Sequence, residues 1–284
     1  MKAPSYRVAL TGASGGIGAA IAAAIAPLAE SLLLVGRDAA RLAQVEHSIA
    51  RPGLQCMRVS ADLTTTAGRE AVESAAAATP HGINLLINNA GISEFAWFAD
   101  QCEQAVTRIL EVNALAPMLL TRRLLPLLQA QPAATIVNVG SIFGYVGYPG
   151  CATYSASKFA LRGFSEALRR ELADSPVRVV YFAPRATRTA LNGDALTALN
   201  AELGTAMDAP EWVAAELLRL LRRPKHERLL GMPEKLFARI NQMLPALVDN
   251  GLRKQLATIR KHARRGWRTA RAAAPLHSSQ GGTL

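Results

Sequence analysis

Short apolar runs alternate along most of the chain with longer stretches whose apolar residues recur at three- and four-residue steps. That alternation predicts strands followed by helices. Residues 6–10 (YRVAL), 32–35 (LLLV), 54–59, 83–87, 135–139 (TIVNV), 177–182 and 228–231 read as strands. The intervening stretches predict helices ending near 26, then over 39–50, 66–78, 101–130, up to 173, and 211–223. Pro117 and Pro126 lie inside the long stretch at 101–130 and predict a kink or break there. Strands and helices in this order imply an α/β fold, a doubly wound parallel sheet of about seven strands with helices on both faces. Its ligand site is expected beyond the carboxyl ends of the strands.

After Met232 the pattern becomes wholly helical. Leu236, Phe237, Ile240, Met243, Leu244, Leu247, Val248, Leu252, Leu256 and Ile259 keep helical spacing, with Pro245 and Gly251 expected to interrupt it. The expected organisation is therefore a principal domain over 1–232, a basic amphipathic extension over 233–271 and a disordered tail over 272–284.

Composition sharpens this division. The chain has 284 residues, 50% of them hydrophobic, enough for one large core. The formal charge of +11 is unevenly spread. Residues 225–284 hold 12 Lys/Arg against 3 Asp/Glu, so nine of the eleven net charges belong to the extension and tail. Cys56, Cys102 and Cys151 have no metal-like spacing and suggest neither a disulfide framework nor a zinc site. A reducing compartment fits, and no leader or spanning segment is expected, so the reading is cytoplasmic, with peripheral membrane contact as the further option.

The candidate chemistry gathers at the strand ends. Thr11-Gly12-Ala13-Ser14-Gly15-Gly16-Ile17-Gly18 joins the first strand to a helix. Glycines 12, 16 and 18 allow close approach of a pyrophosphate, and the helix N-terminus offers free N–H groups. The second strand ends in Gly36-Arg37-Asp38 rather than in an acidic residue, and an arginine suits a 2′-phosphate. This favours NADP(H), with NAD(H) as the alternative; Arg37 could also simply extend into solvent, with Asp38 capping the next helix. Asp62-Leu63 stands where an adenine edge would lie, and Asn88-Asn89-Ala90-Gly91 where the backbone would pass a ribose. Tyr154 and Lys158 are four residues apart on one helical face, so a fixed ammonium could stabilise a phenolate and make the tyrosine a proton-transfer group.

Taken together, TGASGGIG at 11–18, DL at 62–63, NNAG at 88–91, Asn113, Ser141 and YSASK at 154–158 resemble the short-chain dehydrogenase/reductase family over roughly residues 5–232. The resemblance implies a Rossmann-like fold binding NADP(H) or NAD(H) and interconverting a carbonyl and a secondary alcohol. It implies that Tyr154 exchanges a proton with the substrate oxygen and that Ser141 hydrogen-bonds that oxygen. Lys158 would tune the tyrosine and bind the nicotinamide ribose, and Asn113 would hold a relay water. Ser14, Ile17, Asn89, Ala90, Gly91, Pro184 and Thr189 would join Gly12, Gly16, Gly18, Arg37, Asp62 and Leu63 around the dinucleotide. Phe143 and Cys151 would line the substrate side, Cys151 as an apolar wall rather than a nucleophile.

One departure from the family stands out: Arg185 follows Pro184 where a glycine is usual, and it could contact a pyrophosphate or anionic substrate, or turn to solvent. Residues 190–210 form the expected substrate loop, in which Leu191, Leu196, Leu199 and Leu203 have the spacing of a lid helix or of ordinary packing residues. The extension could pack over the substrate opening or a neighbouring subunit, or rest on an anionic membrane; nucleic acid is disfavoured because the tail offers only Trp267 for stacking. The sequence thus points to a carbonyl reductase or alcohol dehydrogenase with a lipophilic or acyl-type substrate, a homodimer or homotetramer by analogy. The rivals are a non-catalytic nucleotide sensor and a membrane-surface protein.

Overall fold

The computed structural model describes residues 5–223 and 225–273, with side chains as far as residue 264. Seven strands, β1 (Tyr6–Thr11), β2 (Ala29–Gly36), β3 (Gln55–Ser60), β4 (Leu85–Asn88), β5 (Ala134–Val139), β6 (Val177–Ala183) and β7 (Glu227–Leu229), form one parallel sheet in the order β3-β2-β1-β4-β5-β6-β7. Successive residues of a strand face opposite sides. Val8 and Leu10 therefore join Leu32, Leu34 and Ile87 in one core, whereas Ala9 joins Leu33, Leu86 and Ile136 in the other.

Helices α1 (Gly16–Ile25), α2 (Ala39–Ile49) and α8 (Pro210–Leu221) cover the first face through Ile21, Leu42, Val213 and Leu217. Helices α3 (Thr66–Ala77), α5 (Ala116–Gln129) and α6 (Ala152–Glu171) cover the second through Val72, Leu120, Leu124 and Leu168. Asp38 caps α2 by accepting from the Arg41 N–H at 3.0 Å, and Thr65 caps α3 through the Gly68 N–H at 3.0 Å. The order in which strands are added reverses between β1 and β4, and the crevice at that switch point is where such folds bind ligands.

The long helical stretch divides into α4 (Glu103–Leu110), a π-helical turn (Glu111–Leu115) and α5. The break falls before Pro117, whose ring has no N–H to continue an α-helical ladder, and it places Asn113 on the π turn. Pro126 is accommodated within α5.

The C-terminal segment forms α9 (Met232–Met243) and α10 (Pro245–Ala273). The expected break at Pro245 is present, but α10 runs straight through Gly251. A mid-helix glycine costs about 1 kcal/mol, and the burial of Val248 and Ile259 on either side of it offsets that. Ala238, Val248, Ile240 and Leu252 pack on Tyr145, Val146, Leu161 and Tyr181. Ile259 packs on Leu196 and Leu199 of α7 (Asp194–Glu202), and His262 meets Glu202 at 2.7 Å. The two helices thus lie over the segment that borders the ligand cleft. Of the tail expected to be disordered over 272–284, residues 272 and 273 instead end α10, and residues 274–284 lie outside those described.

Candidate active site

A cleft of about 470 Å³ opens at the carboxyl ends of β1, β2, β4, β5 and β6. Its walls include Gly12, Ser14, Gly16, Ile17, Gly18, Arg37, Asp62, Leu63, Asn89, Ala90, Gly91, Ser141, Phe143, Tyr154, Lys158, Pro184 and Thr189. Chain segments as far apart as Gly12 and Asn200 are therefore brought to one crevice. Of the residues singled out from sequence, Asn113 and Cys151 do not line it; they are 0% and 1% exposed and stand behind the wall.

The glycine turn is built tightly. Gly12 sits at φ 63°, and a Cβ on it would lie 2.8 Å from the Ala90 Cα. A Cβ on Gly18 would lie 2.0 Å from the Gly12 carbonyl oxygen. The Asn89 amide holds the turn from the other side, donating to the Thr11 and Gly12 carbonyls at 3.1 Å each. Behind it comes the free N-terminus of α1, whose cap, Gly15, offers no side chain. A side-chain-free cradle opening onto unsatisfied N–H groups is suited to a pyrophosphate, so the residues present fit a dinucleotide. At the end of β2, Arg37 and Arg41 line the cleft, while Asp38 is turned to its helix cap and to Arg41 at 3.4 Å. The Arg37 side chain is exposed and has no acidic partner among the described residues.

Asp62 lines the cleft, but its carboxylate is already engaged. It accepts from Arg108 at 2.7 Å, from the Thr64 N–H at 2.9 Å and from the Thr64 hydroxyl at 2.8 Å. Burial opposes the charge, yet these donors outweigh it and hold the carboxyl down at about 2. The expected adenine contact would therefore compete with Arg108, a residue that no sequence pattern had singled out.

On the opposite wall, the first turns of α6 present Tyr154 and Lys158, both buried. The ammonium lies 5.7 Å from the Tyr154 ring centroid and donates to the Val139 carbonyl at 3.0 Å. The phenol is not acidified as the spacing suggested. Burial pushes it up to about 12, with a hydrogen bond to Ser141 acting in the other direction, and burial likewise lowers Lys158 to about 8. Removal from water disfavours the charged form of each group, and that sets the direction of both shifts. Ser141 accepts from the Phe143 N–H at 3.2 Å, which leaves its own O–H to point elsewhere.

Asn113 is a brace for the loop after β4. Its amide donates to the Ile92 carbonyl at 2.8 Å and to the Ser157 hydroxyl at 3.0 Å, and its oxygen accepts from the Ile92 N–H at 2.8 Å. Ser157, which donates in turn to the Tyr154 carbonyl at 2.7 Å, was not singled out from sequence. Neither was Tyr181, whose hydroxyl donates to the Lys158 carbonyl at 3.2 Å and accepts from the Ser141 N–H at 3.4 Å. Tyr181 fits there because residues 140 and 144 are glycines; a Cβ at Gly140 would fall 2.0 Å from its ring. The only hint in sequence was this pair of small residues facing a buried aromatic strand.

Phe143 stacks on Tyr148 with centroids 4.9 Å apart and meets the Tyr154 ring edge-on at 6.3 Å, forming an apolar flank. Cys151 is buried, and burial pushes its thiol up to about 12, so it is an unreactive packing residue at neutral pH rather than part of the substrate wall. Thr189 lies against Gly16, where an added Cβ would sit 2.7 Å from its methyl. Of the loop leucines, Leu199 is packing, whereas Leu191 and Leu196 also line the cleft. Arg185 neither reaches solvent freely nor waits for an anion: it is paired with Asp208 at 2.8 Å and Glu234 at 3.1 Å.

A doubly wound sheet with a glycine cradle at its switch point and a tyrosine–lysine pair across the cleft defines the class. The family model described as short chain dehydrogenase matches residues 7–200, and the chain belongs to that family as one of its oxidoreductases. It is 30% identical over 249 residues to the ketoacyl reductase HetN of Nostoc sp., covering 85% of this chain and 86% of that protein. It is 36% identical over 208 residues to the oxidoreductase claN of Passalora fulva, covering 72% and 94%. Among solved structures, a short-chain dehydrogenase from Sphingobium yanoikuyae in complex with NADPH superposes with a TM-score of 0.73 at 28% identity, covering 87% of this chain and 96% of that one. One from Burkholderia phymatum in complex with NAD has the same fold, with a TM-score of 0.78 at 23% identity over 87% and 96%. Among the described residues no helix is long and apolar enough to cross a membrane.

Proposed function

We propose that the protein interconverts a carbonyl and a secondary alcohol using NADP(H), with Tyr154 as the proton-transfer group. The observation that carries this reading is the Tyr154 phenol, set in the cleft wall against Ser141 and across from the glycine cradle. A bound nicotinamide dinucleotide would supply or accept the hydride, held by Gly12, Ser14, Gly16, Ile17, Gly18, Asn89, Ala90, Gly91, Lys158, Pro184 and Thr189. With its pKa near 12, Tyr154 keeps its proton at neutral pH and can give it to an oxygen that gains charge. Ser141 stabilises the same oxygen by donation, one of its own two lone pairs being occupied by the Phe143 N–H. Lys158, near 8, can release or take up a proton beside the tyrosine. Asn113 fixes the loop that carries Gly91 and retains one oxygen lone pair for a relay water.

Preference for NADP(H) over NAD(H) rests on Arg37 and Arg41 at the mouth of the cleft and on the engagement of Asp38 elsewhere. A lipophilic or acyl-type substrate is supported by the Phe143 flank, by Leu191 and Leu196 in the wall, and by the likeness to a ketoacyl reductase. Exposed Leu110, Leu115 and Phe159 on the α4–α6 face support a homodimer or homotetramer, and three free cysteines support a cytoplasmic setting. The division at residue 232 between a principal domain and a helical extension is supported by the start of α9, although the extension shares the core beneath it.

Tyr154→Phe tests the reading. It should lower NADPH-dependent reduction of ketones and 3-ketoacyl thioesters by at least about a hundredfold, with NADPH binding, followed by fluorescence titration, unchanged. Undiminished turnover in the variant would remove the proposal.

A further inference from the structure

The outward face of α9 and the corner into α10 are unlike the rest of the surface. Met232 and Met243 are 73% and 79% exposed, and Leu236 and Leu247 are each 59% exposed. On the helical wheel Met232, Leu236 and Met243 fall within one narrow sector, while Ala238 and Asn241, on the other side, meet the core and the Tyr145 carbonyl. The apolar stripe is therefore presented outward by the way the helix is seated. Lys235 and Arg239 run along one edge of it, and exposed Arg253 and Lys254 follow on α10. None of these four cations has an acidic partner among the described residues. The adjoining Glu234 is held by Arg185, and the exposed acids bordering this corner are Glu227, which lines a groove with Lys235 and Arg239, and Asp249.

We propose that this surface rests on an anionic lipid bilayer, with the methionine and leucine side chains entering the acyl boundary and the cations meeting lipid phosphates. Charge complementarity favours lipid over a second copy of the chain. A two-fold interface places the same patch on both sides, so the unpaired cations would face their own kind. Glu234, in the first turn of α9, ties this helix to Arg185 in the cleft wall, so the proposed membrane face is mechanically continuous with the site. The inference is independent of the reaction proposed above.

Sedimentation of the full chain with vesicles tests it, using phosphatidylcholine with and without phosphatidylglycerol. The protein should bind the anionic vesicles, bind neutral ones at least about tenfold more weakly, and be released by salt. Lys235→Glu with Arg239→Glu, and separately Leu236→Ser with Met243→Ser, should each weaken binding about tenfold or more. Leu236, Arg239 and Met243 are exposed and Lys235 is half-buried, and circular dichroism melting should confirm unchanged folding. Equal binding to neutral and anionic vesicles, or none to either, overturns the proposal. So does a change in oligomeric state by light scattering in the double variants without any loss of vesicle binding.

Discussion

Arg185 grips Asp208 with two parallel hydrogen bonds, Nε to Oδ2 at 3.0 Å and Nη2 to Oδ1 at 2.8 Å, and reaches Glu234 with its remaining nitrogen. The residue that departs from the family's glycine thus ties the end of β6, the loop closing the cleft and the first turn of α9 into one unit. Restoring the glycine should weaken rather than improve the protein. Arg185→Gly removes one charge and leaves two carboxylates facing each other, at a cost of about 2 kcal/mol. Denaturant unfolding and limited proteolysis between residues 186 and 208 measure this; unchanged cleavage of that loop would show that the clamp is idle.

Lys158 makes a pH-dependent contribution whose sign can be derived. Its folded pKa, near 8, lies below the ordinary 10.5, so between those values the unfolded chain binds more protons than the folded one. Stability from this group therefore rises with pH across that window, and below it the buried ammonium is a liability. Lys158→Met should be inactive yet more stable than the parent at pH 7, with the advantage shrinking as pH approaches 10.5. Urea titrations at pH 7, 9 and 10 decide the matter; a difference independent of pH would contradict it.

Cofactor choice should turn on Arg37. Arg37→Glu should raise the KM for NADPH by about tenfold or more while leaving that for NADH little changed, since only the 2′-phosphate is lost as a partner. Steady-state kinetics with both dinucleotides test it, and equal losses for the two would assign Arg37 another task.

Tyr181 supports the cleft wall at Ser141 and Lys158 without lining the cleft. Removing its hydroxyl frees the Lys158 carbonyl and the Ser141 N–H at once. Tyr181→Phe should cost about 1 kcal/mol of stability and lower kcat without changing the dinucleotide Kd. A variant in which kcat holds while stability falls would make Tyr181 a packing residue alone.

Much of the molecule could be read from local pattern. Strand runs, the glycine turn, the Asp38 cap and the Tyr154–Lys158 spacing follow from neighbours within a few positions, because dihedral preference and helical period act over that range. The sequence by itself determined which residues could do chemistry and on which elements they would stand. Tertiary structure decided their state and their company: Asp62 is claimed by Arg108, Arg185 by Asp208 and Glu234, and the floor beneath Ser141 and Lys158 is Tyr181. It also decided that burial raises the phenol although an ammonium lies nearby. Solvation depends on which distant surfaces close over a group, and no local pattern of residues carries that information.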